Sequence, residues 1–94
     1  MNRIVTCGLI QASSPAGPEE TLERTKQMMI DKHLPLIEQA AQRGVQILCL
    51  QEIFYGPYFC AEQDTRWYQV TEQIPDGPTI TLMQGLAKKH QMVM

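Results

Sequence analysis

The stretch GVQILCLQE, residues 44–52, decides how the rest of the chain is read. Val45 to Leu50 is apolar except for Gln46, is of strand length, and follows a glycine directly. A strand with so little alternation is predicted to be covered on both faces, as in a parallel sheet between helices. The run ends abruptly in Gln51 and Glu52, and an aromatic loop, Phe54-Tyr55-Gly56-Pro57-Tyr58-Phe59, comes next.

Upstream, Arg43 and Gly44 put a cation in a last helical turn and a glycine just past it, which marks a helix end. That helix is predicted to start at Pro18, whose missing N–H would have no intrahelical partner in a first turn. Glu19 and Glu20 suit the positive end of the helix dipole. Leu22, Met29, His33, Ile37 and Ala40 or Ala41 recur at helical spacing with charges between them, His33 falling at the boundary of this face. Pro35 removes a hydrogen bond and crowds the preceding turn, so a kink or restart is expected over 31–34. Residues 12–17 read as a loop. Residues 3–11, RIVTCGLIQ, read as a strand in which Gly8 marks a close backbone approach.

Downstream, residues 53–63 read as a loop, Asp64 as the cap of a short helical turn TRWYQV, and IPDGP (74–78) as a turn. Thr79 to His90 reads as a second helix with Leu82, Met83 and Leu86 on one side, and Met92 to Met94 as the start of a third strand. The order β-α-β-α-β predicts an α/β layered sheet with right-handed crossovers. Such a sheet leaves open edges and an uncovered face, and the chain stops inside a strand. Residues 1–94 are therefore expected to be the N-terminal portion of one larger domain.

The chain has 94 residues, 44% hydrophobic and 19% charged, with a net charge of −2, a globular composition for one small domain. That charge supplies no basic face for nucleic acid or an anionic membrane. No apolar run approaches the roughly 20 residues a membrane span needs, and the stretch after Met1-Asn2-Arg3 is too short and broken for a signal peptide. Three cysteines, Cys7, Cys49 and Cys60, form no C-x-x-C, which gives neither a disulfide framework nor a zinc site and fits a reducing cytoplasm. Cys7 and Cys49 lie in apolar runs, where cysteine behaves as a small hydrophobe.

Glu52 is the leading candidate for chemistry. In open α/β sheets ligands bind beyond the carboxyl ends of the strands. Partial burial there raises a carboxylate toward the range of a general base. The opposing reading is a solvated strand-end carboxylate or a cap, and position alone does not decide. Tyr55, Tyr58 and Phe59, with Phe54, are candidate walls of a small-molecule pocket, or a small satellite core under the loop. Cys60 reads as a packed thiol rather than a nucleophile, because neither His33 nor His90 is placed beside it. Asp64, Arg66, Trp67 and Tyr68 read either as a substrate rim or oligomer contact, or as a solvated turn with one aromatic anchor. Neither G-x-G-x-x-G nor G-K-[ST] occurs.

GVQILCLQEIFYGPYFC, followed by DTRWYQVTEQIPDGPTITLMQGLAKKHQMVM, closely resembles the N-terminal part of carbon-nitrogen hydrolases of the nitrilase superfamily. Within it, the sequence is most similar to the β-ureidopropionase-like and N-carbamoylputrescine amidase-like branch, and VTCGLIQASS resembles the family's first strand. The resemblance implies a four-layer α-β-β-α sandwich, assembly into homo-oligomers, and a Glu-Lys-Cys triad that needs no metal and no organic cofactor. It implies a small amide or ureido substrate, with Glu52 as the triad glutamate. The family's lysine and cysteine lie on later strands, and Cys60, Lys88 and Lys89 stand in the wrong contexts to replace them. The 94-residue chain alone is therefore expected to be inactive. Two rival readings remain at this point: a truncated, non-catalytic interaction module, and a small α/β domain that binds a metabolite through Glu52.

Overall fold

The computed structural model of the chain describes residues 3–94. Met1 and Asn2, where the signal-peptide reading begins, lie outside them. Strand β1 (Cys7–Ile10) leads by way of a loop to helix α1 (Leu22–Gln42), then to strand β2 (Ile47–Leu50). Two 3₁₀ helices, Phe59–Ala61 and Thr65–Val70, precede helix α2 (Pro78–His90). β1 and β2 pair in parallel, with Cys7 opposite Ile47 and Ile10 opposite Leu50. Val93 bridges in parallel to Ile47 on the other side, donating to Gln46 O at 2.9 Å and accepting from Leu48 N at 2.8 Å. β2 is thus the central strand, and the predicted β-α-β-α-β order holds with a single bridge in place of a third strand.

α1 starts later than predicted. Glu20 N donates to Gly17 O, so Pro18 sits in a turn, and Thr21 caps the helix with its hydroxyl accepting from Arg24 N at 3.1 Å. Pro35 does not interrupt the helix, contrary to the expected restart. It lies on the exposed side, as does Asp31, whose carbonyl is the one a proline at this position leaves without its helical partner. The helix ends where predicted, but Arg43 is the C-cap rather than a cation in the last turn; Gly44 takes φ +75°, a left-handed conformation open to glycine without strain.

Both helices lie on one face of the sheet. Ile37 and Ala40 of α1, Leu48 of β2 and Met92 form the buried core, with Ile10, Leu50, Met83 and Leu86 packed on it. A β-carbon on Gly8 would meet Leu48 and Val45 side chains at 3.2 Å, the close approach its position predicted. The alternate strand positions face the other way. Cys7, Leu9, Ile47, Cys49 and Val93 are all exposed. β2 is therefore covered on one face, not two, and Cys7 and Cys49 are not the buried hydrophobes expected of them. His33, expected at a boundary, is fully buried. Its Nδ1–H donates to Met29 O at 2.7 Å, its ring meets Phe54 edge-on at 5.4 Å, and its Nε2 has no partner among the described residues.

Candidate functional site

Gln51 joins the carboxyl ends of both strands. Its side-chain Oε1 accepts from Ala12 N at 2.7 Å, just past β1, while its side-chain Nε2 donates to Ile53 O at 3.3 Å. Glu52 is held between these anchors, two residues beyond the end of β2. From there the chain turns into a cleft of about 650 Å³. Glu52, Tyr55 and Phe59 line it together with Trp67, Tyr68 and Val70 of the second 3₁₀ helix. The cleft lies where an α/β sheet presents ligands, beyond the carboxyl ends of its strands.

Three of the four residues singled out by the sequence are brought together: Glu52, Tyr55 and Phe59 share this cleft, whereas Tyr58 points away and is 70% exposed. Glu52 itself is exposed, so the partial burial expected of it is not supplied by these residues. Cys60, expected to be packed, is also exposed, because the 3₁₀ helix that carries it buries none of its residues. Phe54 belongs both to the cleft wall and to the packing behind it, stacked edge-on with Tyr55 at 5.3 Å and with His33.

The rim is built from Asp64, which caps the 3₁₀ helix by accepting from Arg66 N at 2.9 Å. Arg66 pairs with Glu62 at 2.9 Å and Asp64 at 3.5 Å, and its guanidinium stacks on the Trp67 ring at 4.5 Å. Half-exposed pairs of this kind add little to stability. Their effect is to hold Trp67 in place against the cleft.

Behind the cleft lies an ion pair that the sequence did not announce. Lys26 of α1 pairs with Glu72, their side chains 11% and 8% exposed. Glu72 also accepts from the Thr79 backbone N–H at 2.6 Å and from the Thr79 hydroxyl. Gly77, the N-cap of α2, has no side chain to cap with, and Glu72 supplies that carboxylate from the preceding turn. Burial pushes the Glu72 carboxyl up, but the Lys26 and Thr79 hydrogen bonds and the Lys26 charge outweigh it and hold the group below its ordinary value. Among the described residues, no group of three His, Cys, Asp or Glu side chains is placed to hold a metal ion. No helix among them is long and apolar enough to cross a membrane.

A carboxylate at a strand end, facing an aromatic cleft in an α/β fold, fits a hydrolase that moves a proton at a small substrate. The comparisons with known proteins agree in class. Residues 6–94 match the carbon-nitrogen hydrolase family, and the chain belongs to it, within the nitrilase superfamily and on its N-carbamoyl amidohydrolase branch. The chain is 36% identical over 92 residues to a beta-ureidopropionase of Arabidopsis thaliana, covering 98% of this chain and 22% of that protein. It is 39% identical over 59 residues to an N-carbamoylputrescine amidase of Solanum lycopersicum, covering 63% of this chain and 20% of that protein. A citrullinase of Francisella tularensis is 31% identical over 58 residues, covering 62% of this chain and 20% of that protein. The chain thus spans about a fifth of the length of these relatives.

Proposed function

We propose that these 94 residues are the N-terminal portion of one carbon-nitrogen hydrolase domain, and that Glu52 is the general base of a Glu-Lys-Cys site in the complete protein. The substrate is an N-carbamoyl amino acid or amine. Glu52 takes the proton of the cysteine thiol, and the thiolate attacks the ureido carbonyl. The lysine ammonium stabilises the oxyanion that develops there. Glu52 returns the proton to the departing nitrogen, ammonia leaves, and a carbamoyl thioester remains. Glu52 then takes a proton from water, whose oxygen attacks the thioester carbonyl and releases the thiol. The resulting carbamic acid breaks down to the amine and carbon dioxide. One carboxylate serves both halves because each needs a proton moved at nearly the same point.

The observation that carries this reading is the position of Glu52 at the mouth of the aromatic cleft, beyond the end of β2, in a chain of this family. Tyr55 and Phe59 form the substrate wall. The lysine and cysteine come from the remaining length that the relatives have. So does a second sheet, which lies against Cys7, Leu9, Ile47, Cys49 and Val93 and completes a four-layer sandwich. The enzyme is a cytoplasmic homo-oligomer. The same bare sheet face favours the alternative, a non-catalytic module that pairs with another chain. The two readings part in one experiment, Glu52→Gln in the complete protein assayed on N-carbamoyl-β-alanine and N-carbamoylputrescine. The hydrolase reading requires turnover to fall by about 10²–10⁴-fold, and wild-type turnover in that variant sinks it.

A further inference from the structure

We propose that the buried Lys26–Glu72 pair is a positioning device for the cleft wall, acting through Tyr55; the inference rests on the cleft being the substrate site. Lys26 spends one side of its ammonium on Glu72 and sets the other 5.1 Å above the centre of the Tyr55 ring. A desolvated cation over an aromatic face is attracted by the ring's negative π surface. The far end of the same ring is fixed as well, since the Tyr55 hydroxyl donates to Val70 O at 3.3 Å. Tyr55 is thus clamped at its face by α1 and at its hydroxyl by the second 3₁₀ helix.

Glu72 closes the loop. It follows Val70 by two residues, and its carboxylate is fixed by Thr79 at the first turn of α2. One carboxylate therefore ties α1, the Val70 wall and α2 together, and Lys26 relays that frame to Tyr55. A buried ion pair is weak evidence for stability, because well-packed apolar residues often replace one at little cost. What the apolar replacement lacks is a directed cation above the ring. The pair is read here as fixing the shape of the wall rather than as holding the fold.

The test is steady-state kinetics on the complete enzyme, with N-carbamoyl-β-alanine and N-carbamoylputrescine as probes. Tyr55→Leu is expected to raise KM about tenfold, the mark of lost binding common to ground and transition states. Lys26→Met with Glu72→Gln, which leaves no charge buried alone, is expected to raise KM to a similar extent with kcat within about twofold of wild type. Combining all three changes should add nothing to the Tyr55→Leu effect, because one wall has been lost once. Lys26→Arg, which keeps a cation over the ring, should restore KM to within about threefold of wild type. A wild-type KM in either Tyr55→Leu or the charge-free variant overturns the proposal, and so does a triple variant about a hundredfold up in KM, the product of two independent effects. If the charge-free variant does not fold, Thr79→Val replaces it; a two- to threefold rise in KM is expected there, on the order of one weakened hydrogen bond, and an unchanged KM overturns the proposal. Failure of the underlying reading looks different: Glu52→Gln would then retain turnover whatever Tyr55 and Lys26 do.

Discussion

Glu52 and Glu72 are carboxylates with opposite surroundings. Glu52 is exposed at the cleft, while the Glu72 side chain is 8% exposed and bonded to a cation, a hydroxyl and a helix N–H. The second is built to keep its charge. Because Glu72 is held below its ordinary carboxylate value in the folded chain, its contribution to stability is complete above the unfolded-state value near 4.5. It is lost as pH falls through the folded value. Urea unfolding of the wild type is therefore expected to weaken below about pH 4.5 more steeply than that of Glu72→Gln. Parallel pH profiles for the two proteins would contradict this. The sequence pointed to Glu52 because a strand-end carboxylate is a local pattern. It did not point to Glu72, because the partner lies on α1 and no spacing rule joins residues so far apart.

Helix α1 is the element on which the rest is assembled. Its buried stripe carries Lys26, Met29, His33, Ile37 and Ala40, so one face serves the core, the loop after Glu52 and the ion pair at once. The apolar half of that stripe was legible from its spacing. Lys26 was not, and His33 was placed only at the boundary of the face, because a polar residue declares its burial only through partners, here Glu72 with Tyr55 and Met29 with Phe54. Ile37, 0% exposed, is the centre of the core, and Ile37→Ala is expected to cost about 2–5 kcal/mol by urea unfolding. The start of α2 is tight in a different way. A β-carbon on Gly77 would lie 2.6 Å from Gln73 O and 2.7 Å from Glu72 Cβ. Gly77→Ala is expected to destabilise by about 1–3 kcal/mol, measured the same way, with wild-type stability contradicting the reading. The misplaced start of α1 has a plain cause: Pro18 is equally at home in a turn, and only the Thr21 hydroxyl bond to Arg24 separates the two.

At the scale of the molecule, both helices cover one side of a sheet whose other side is bare and apolar. The near-continuous apolar run made β2 look covered on both faces; among the described residues one face is bare, and the four-layer sandwich proposed above would place a second sheet there. Leu9, 84% exposed, is the sharpest probe of it. Leu9→Lys is expected to leave the secondary structure of the 94-residue chain unchanged by circular dichroism, yet to destabilise the complete protein by more than about 2 kcal/mol by placing a charge between two sheets. Equal tolerance in both would contradict a second sheet on this face. The cleft beyond β2 is the other large-scale feature, and its meaning rests on one side chain. In the complete enzyme, kcat/KM for an N-carbamoyl substrate should fall by about 10²–10⁴-fold on Glu52→Gln. A kcat/KM within about threefold of wild type, smaller than the loss of any positioned proton-transfer group, would contradict Glu52 as the base.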